Sequence, residues 1–413
     1  MEIDSRNVSR SYFWLIWGIY AMVYMTKNCF SAAMASIVVE GVMTKSQVGL
    51  ITAVFYGVYA PLQIVGGICA DKYNPEKLII TGLCGSSLAN LILYFHQEYT
   101  VILIVWIFNA VIQFGIWPSV FKIISSRLAP SGRKSAVYYV SFSNTAGLIL
   151  SYVAAAFLPA WYDNFALSAA VLALLALLLG VARRKVAPYL RPTAEVSSAR
   201  ERGAVNGVST VKLLAVSGFV LLLAAVFLET VVGNSVKTLS ATMLTESYHH
   251  VPPSMGNNLN VLIIAAGLIS VVLMRRFIYP RRIKSAPVGI LLTLSIGAVF
   301  SGLLLIRFTT AYLAVASLCV LSGVYSAMYL LASYCSLQFE RFGKNGTVAG
   351  IMNATISAGM IVSNYGVTRI ADRYGWGAVS LLYLALTAAA ICLSAAMLPF
   401  WKRFQANGFS NTL

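Results

Sequence analysis

Long apolar runs separated by short polar turns recur along the whole chain. A helix that crosses a bilayer needs about 20 largely apolar residues, and lipid admits only structures that satisfy their own backbone. The runs predict twelve helices, over residues 12–37, 47–70, 78–96, 100–124, 135–160, 164–182, 211–236, 256–274, 286–307, 310–338, 347–370 and 375–400. The first run follows a polar stretch, exceeds a signal-peptide core and lacks a cleavage site, so it is expected to stay. One long polar connection, residues 183–210 (RRKVAPYLRPTAEVSSARERGAVNGVST), has six runs on either side. The expected organisation is an N-terminal six-helix half (1–182), a basic cytoplasmic linker (183–210) and a C-terminal six-helix half (211–413). The fold class is all-α integral membrane protein.

A weak repeat relates the halves. GRKSAV (132–137) opens span 5 and GKNGTV (343–348) opens span 11, and the small-residue runs SNTAGLILS and ATISAGMIVS follow them. Small residues let helix backbones approach closely in lipid. Two parallel six-helix repeats with a solute site between them near mid-membrane are the plan of many secondary transporters.

Composition agrees: 59% of the residues are hydrophobic and 10% charged, against roughly 25% charged in soluble domains. The net charge of +17 changes the picture only through its distribution. Alternate short loops and both termini collect 24 of the 30 Lys and Arg residues. This positive-inside pattern puts both termini in the cytoplasm of a cytoplasmic-membrane protein. The basic charge reads as orientation signal and lipid contact, not nucleic-acid binding. Six cysteines scattered through the spans read as small core residues, and His96, His249 and His250 lie at helix ends or in a loop. There is no metal cluster, nucleophile elbow or Gly-rich phosphate loop, so an enzyme, a metal and a cofactor are not expected.

Two charges fall well inside the apolar runs, away from their ends. Lys27 has no acidic residue within twelve positions. A charge at bilayer depth costs about 2.5–3.5 kcal/mol on insertion scales, so it faces the bundle interior and marks a pathway or a partner. Lys27 lies seventeen residues after Arg10, and Glu229 seventeen residues after Lys212. That is roughly 25 Å along each helix. Spans 1 and 7 are equivalent, so the two charges are expected at matching depth, facing each other. The pair either binds solute or proton, or simply joins the halves.

GICADKYNPEK (67–77), QFGIWPSVFK (113–122), GTVAG (346–350) and ADRYGW (371–376) resemble signatures of the major facilitator superfamily. The Asn-Pro variant in the first resembles its organophosphate/inorganic-phosphate antiporter family, relatives of the glycerol-3-phosphate and hexose-phosphate transporters. The resemblance implies a twelve-helix carrier working by alternating access. It also implies that the family's two phosphate-clamping arginines correspond to Lys27 and Glu229. A family lysine corresponds to Asn28, another to Gln63, and a histidine to Asn144, while Tyr20, Tyr24 and Tyr59 keep aromatic positions. Asp71 and Lys122 correspond to an inner gate. Gln113 is a lining candidate alongside Asn28, Gln63 and Asn144; Asn258, Asn260, Asn353 and Asn364 are weaker ones, and Tyr325 and Tyr329 fit the C-terminal wall or the core equally.

One lysine beside one glutamate is a poor host for a phosphate dianion, which favours bidentate arginine or several cations. The expectation is therefore a monomeric carrier of a zwitterionic or neutral polar small-molecule solute, with proton coupling through Glu229. The alternatives are an organophosphate/phosphate antiporter and a transporter-like receptor.

Overall fold

The computed structural model describes residues 5–127, 136, 139–140, 142–186, 209–279, 281–306, 310–339 and 345–406. The protein is all-helical and spans a membrane twelve times. Nine described helical segments are long and apolar enough to cross a bilayer. One of these, Gly350–Ala406, holds two spans, because Gly375 (φ 76°, ψ 178°) interrupts it. Lys45–Lys72 and the short helix Ser143–Phe157 supply the rest.

The chain forms two compact units, Met1–Glu201 and Arg202–Leu413. In the first, span 1 consists of α1 (Ser5–Lys27) and α2 (Cys29–Val39). They are divided at Asn28 (φ −100°, ψ 5°), whose side-chain amide donates to the Tyr24 carbonyl at 2.8 Å. Asparagine competes for backbone groups in this way. Span 2 is α3 (Lys45–Lys72), which starts on a capping box between Thr44 and Gln47. The Asn-Pro-Glu motif then has a plain physical use. The Asn74 side chain caps α4 (Pro75–Phe95) by accepting from the Lys77 amide at 3.0 Å. Pro75 takes the first helical turn, where its missing N–H costs nothing, and Glu76 faces the helix dipole. Span 4 breaks into α5 (Tyr99–Ile112) and α6 (Ile116–Arg127), followed by α7 (Ser143–Phe157) and α8 (Asp163–Val186).

In the second unit, α9 (Thr210–Val216) and α10 (Phe219–Ser247) meet at Gly218. Gly218 has φ 68°, and a Cβ there would lie 2.9 Å from Phe400 Cβ, so glycine is required twice over. Then come α11 (Pro253–Leu273), α12 (Ala286–Leu303), α13 (Ala311–Leu337), α14 (Asn345–Val362) and α15 (Thr368–Ala406). One-turn π-helices at Met274–Ile278 and Ser363–Val367 widen the ends of α11 and α14.

The same pairings recur in both units. Span 1 packs on spans 5 and 6, span 2 on span 4, and span 3 on spans 4 and 6. Spans 7, 8 and 9 repeat this against spans 11 and 12, 10, and 10 and 12. Small residues make the matched contacts. A Cβ on Gly147 of α7 would lie 2.1 Å from the Ala21 carbonyl oxygen and 2.6 Å from Tyr24 Cβ. A Cβ on Gly359 of α14 would lie 3.1 Å from the Phe227 carbonyl oxygen and 2.8 Å from Thr230 Cβ.

The cysteines depart from expectation. Cys29 and Cys335 are buried, but Cys84 and Cys392 are exposed on outward helix faces, where lipid tolerates a small apolar thiol. Helix close-packing yields a direct prediction. Gly147→Ala should destabilise the detergent-solubilised protein by about 1–3 kcal/mol through overpacking, lowering its melting temperature. Gly180→Ala, with no atom within 4 Å of the added Cβ, should leave it unchanged.

Candidate functional site

In the N-terminal half the site is built around Lys27, the last residue of α1, 3% exposed. Its ammonium sits over the ring of Tyr59 on α3, 3.7 Å from the centroid, with Tyr24 at 5.2 Å and Phe55 at 5.9 Å. Within this half Lys27 makes no ion pair among the described residues. Ring faces attract a cation through their quadrupole, by about 2 kcal/mol when desolvated. Tyr20 and Tyr24 meet edge-on at 5.2 Å, and Tyr20 stacks on Trp117 of α6 at 4.4 Å. Thus Lys27, Tyr20, Tyr24, Asn28 and Tyr59 come together. Gln63 turns to the break in span 4, donating to the Phe114 carbonyl at 3.2 Å. Gln113 is buried in the same break and donates to Asn109 Oδ1 at 2.8 Å. Asn144 lies one turn before Gly147; it is exposed and accepts from the Thr145 amide.

In the C-terminal half Glu229 is fully buried on α10. Its Oε2 accepts a 3.4 Å hydrogen bond from Thr387 of α15, and its Oε1 has no hydrogen-bond partner among the described residues. The glycine contacts set the register between repeats: Ala21 and Tyr24 correspond to Phe227 and Thr230, so Lys27 corresponds to Gly233. Glu229 lies one turn before that point along α10. The count from Lys212 crosses the break at Ser217–Gly218, whereas the count from Arg10 follows an unbroken helix.

One turn outward of Gly233 lies Lys237, which the reading from sequence left outside span 7. Its ammonium donates to Ser326 Oγ at 2.9 Å and sits 4.6 Å from the centre of the Tyr325 ring. That ring is pressed against Gly233, where a Cβ would lie 2.0 Å from Tyr325 Cγ. Asn260 of α11 donates to the Lys237 carbonyl at 2.9 Å, and Asn234 donates to Asn364 Oδ1 at 2.9 Å. Asn258, Asn353 and Tyr329 are exposed. The boundary drawn at Val236 was too short because VKTLSATML is rich in Ser and Thr. The helix continues since Thr238 and Ser240 turn their hydroxyls onto the carbonyls of Asn234 and Val236. A lysine two turns after Glu229 was the signal available in the sequence.

For the gate, Lys122 is half-buried on α6, which packs on the helix carrying Asp71. The Asp71 side chain lies outside the described residues. No group of three or more His, Cys, Asp and Glu side chains suited to a metal ion occurs among the described residues.

The Major Facilitator Superfamily family model matches residues 16–364. The chain belongs to the Major Facilitator Superfamily. Its members are transporters, not enzymes. This chain is accordingly a multi-pass membrane protein. Solved structures agree on the fold. A bacterial homologue of the human lysosomal transporter Spinster matches at TM-score 0.70 and 15% identity, over 98% of this chain and 99% of that one. The peptide transporter POT matches at TM-score 0.70 and 14% identity, with the same coverage.

Curated relatives match over shorter stretches. The membrane sensor protein UhpC of Escherichia coli is 32% identical over 114 residues, 27% of this chain and 26% of the sensor. The "Probable hexose phosphate transport protein" of Chlamydia pneumoniae is 26% identical over 137 residues, 32% of this chain and 30% of that one. The "Probable sulfoacetate transporter SauU" of Cupriavidus necator is 35% identical over 89 residues, 19% of this chain and 21% of that one. The matched stretches thus span under a third of each relative. The looser resemblance to the phosphate-exchanging family is supported by these matches.

The lysine on its ring generates the next prediction. Tyr59→Leu should destabilise the protein by about 2 kcal/mol when Lys27 is present, and by clearly less in a Lys27→Met background. Thermal unfolding of the four proteins of this cycle reads the coupling; additive losses would contradict the cation–ring contact.

Proposed function

We propose that the protein carries a small organic dianion, such as a sugar phosphate, by alternating access. The observation that carries this is the second lysine. Spans 1 and 7 each hold a lysine on a tyrosine ring, within one turn of equivalent positions, and neither makes an ion pair within its own half among the described residues. A lysine is a point-charge phosphate binder, and two of them supply a charge that one lysine beside a glutamate does not. The relatives support the same class: a hexose phosphate and sulfoacetate are both small organic dianions. The zwitterionic or neutral solute expected from the sequence rested on a single cation, and the organophosphate alternative is now the better-supported reading.

In this reading Lys27 and Lys237 bind the anionic end, and Tyr20, Tyr24, Asn28, Tyr59, Gln63 and Asn144 contact the rest of the solute. Glu229 serves as an exchangeable proton site rather than the direct partner of Lys27. Asp71 and Lys122 close the inner gate. Residues 183–210 link halves 1–182 and 211–413. Both termini face the cytoplasm of the cytoplasmic membrane, supported by the placement of 24 of 30 basic residues. The working unit is a monomer.

Reconstitution in liposomes tests this. Hexose phosphate uptake is expected, driven by internal inorganic phosphate or a pH gradient, and Lys27→Ala or Lys237→Ala should cut it at least tenfold. Uptake of free hexose or a zwitterion in its place would overturn the proposal. The sensor relative favours one second reading, a receptor; it predicts hexose phosphate binding without uptake under any gradient.

A further inference from the structure

The turn between spans 8 and 9 is densely basic. Five basic residues fall within ten positions: Arg275, Arg276, Arg281, Arg282 and Lys284. The first two lie in the π-turn that ends α11, where cations complement the negative end of the helix dipole. The others lie beyond it, in a turn held in one shape. The Tyr279 amide donates to the Met274 carbonyl at 2.7 Å, and the Arg282 amide to the Ile278 carbonyl at 2.8 Å. The Tyr279 ring stacks on Tyr334 of α13 at 5.0 Å, which fixes the turn to span 10.

This fixed turn frames an open cavity of about 420 Å³, lined by Phe277, Ile278, Arg281 and Arg282. Its chemistry is split. Two guanidinium-bearing residues line it, neither of them ion-paired among the described residues. Phe277, 55% exposed, also lines it and heads a stripe of exposed apolar residues through Leu273, Ile269 and Leu262. The stripe follows one face of the helix toward the bilayer interior, at spacings of four, four and seven residues. A solvated loop does not need a large apolar ring beside unpaired arginines, and a free anion would not use the stripe.

We infer that this cavity is a binding site for one anionic phospholipid, with its phosphodiester on Arg281 and Arg282 and an acyl chain along Phe277, Leu273, Ile269 and Leu262. Guanidinium groups bind phosphate oxygens bidentately, and basic pockets at the membrane surface hold anionic headgroups. Charge complementarity selects the occupant, and the stripe selects a lipid over free phosphate. The site is independent of the solute pathway and of its proposed substrate.

Native mass spectrometry of the full-length protein with phosphatidylglycerol, phosphatidylcholine or inorganic phosphate tests the inference. Phosphatidylglycerol should be retained, phosphatidylcholine should not, and phosphate should not displace the lipid. The double substitution Arg281→Gln with Arg282→Gln should weaken retention at least tenfold. Arg183→Gln with Arg184→Gln, or Lys27→Ala, should not. A photoactivatable phosphatidylglycerol should label residues 262–282 of the unsubstituted protein, which gives a reading even if the arginine variant fails to fold. Equal retention by the Arg281/Arg282 variant, equal loss in the Arg183/Arg184 variant, displacement by phosphate, or labelling confined to other segments would each overturn the site.

Discussion

A lysine ammonium buried among apolar helices must be answered by something other than water. Here the faces of aromatic rings answer it: Tyr59, Tyr24 and Phe55 around Lys27, Tyr325 beneath Lys237. A ring face attracts a cation without neutralising it. The charge is held in place and remains available to an anion, whereas a carboxylate partner would compete with the substrate. Much of the local architecture follows from keeping these rings where they are. Gly147 lets α7 close on Tyr24, and Gly233 lets Tyr325 lie flat on α10.

The same economy explains the breaks. Span 1 is divided directly after Lys27, and span 4 is divided at Gln113–Gly115, where Gln63 and Gln113 bond to freed backbone and to Asn109. Irregular backbone at membrane depth is tolerated where protein groups satisfy it. These two breaks, unlike those at Gly218 and Gly375, are in the half that holds the aromatic cluster, and Asn28 and Gln63 place their amides there. In the other half the polar load is carried by α10 itself, through Asn234, Lys237 and the back-bonded Ser and Thr residues.

Most of the fold was legible in the sequence, because transmembrane helices announce themselves by hydropathy over some twenty residues. The all-helical membrane fold and its twelve spans needed no coordinates. Three things were not legible. The end of span 7 was hidden because Ser and Thr lower hydropathy while still fitting a helix, so Lys237 was placed outside it. The register of Glu229 on its own helix was not visible, because a residue count cannot see the break at Gly218. The ring contacts of Lys27 were not visible, because sequence charge shows carboxylates and does not show ring faces. Each of these concerns geometry along a helix that hydropathy had already located.

The central proposal is that the substrate is an anion and that Lys27 and Lys237 each take part in binding it. Isothermal titration calorimetry of the purified protein with a hexose phosphate and with the free hexose tests it most directly. Charge-assisted hydrogen bonds contribute about 1.5–3 kcal/mol each, and 1.4 kcal/mol is tenfold in affinity. The account predicts that the unsubstituted protein binds the phosphate ester and not the hexose, and that Lys27→Gln and Lys237→Gln each weaken binding by tenfold or more. Hexose binding as tight as the ester, or ester binding unchanged by either substitution, would contradict it.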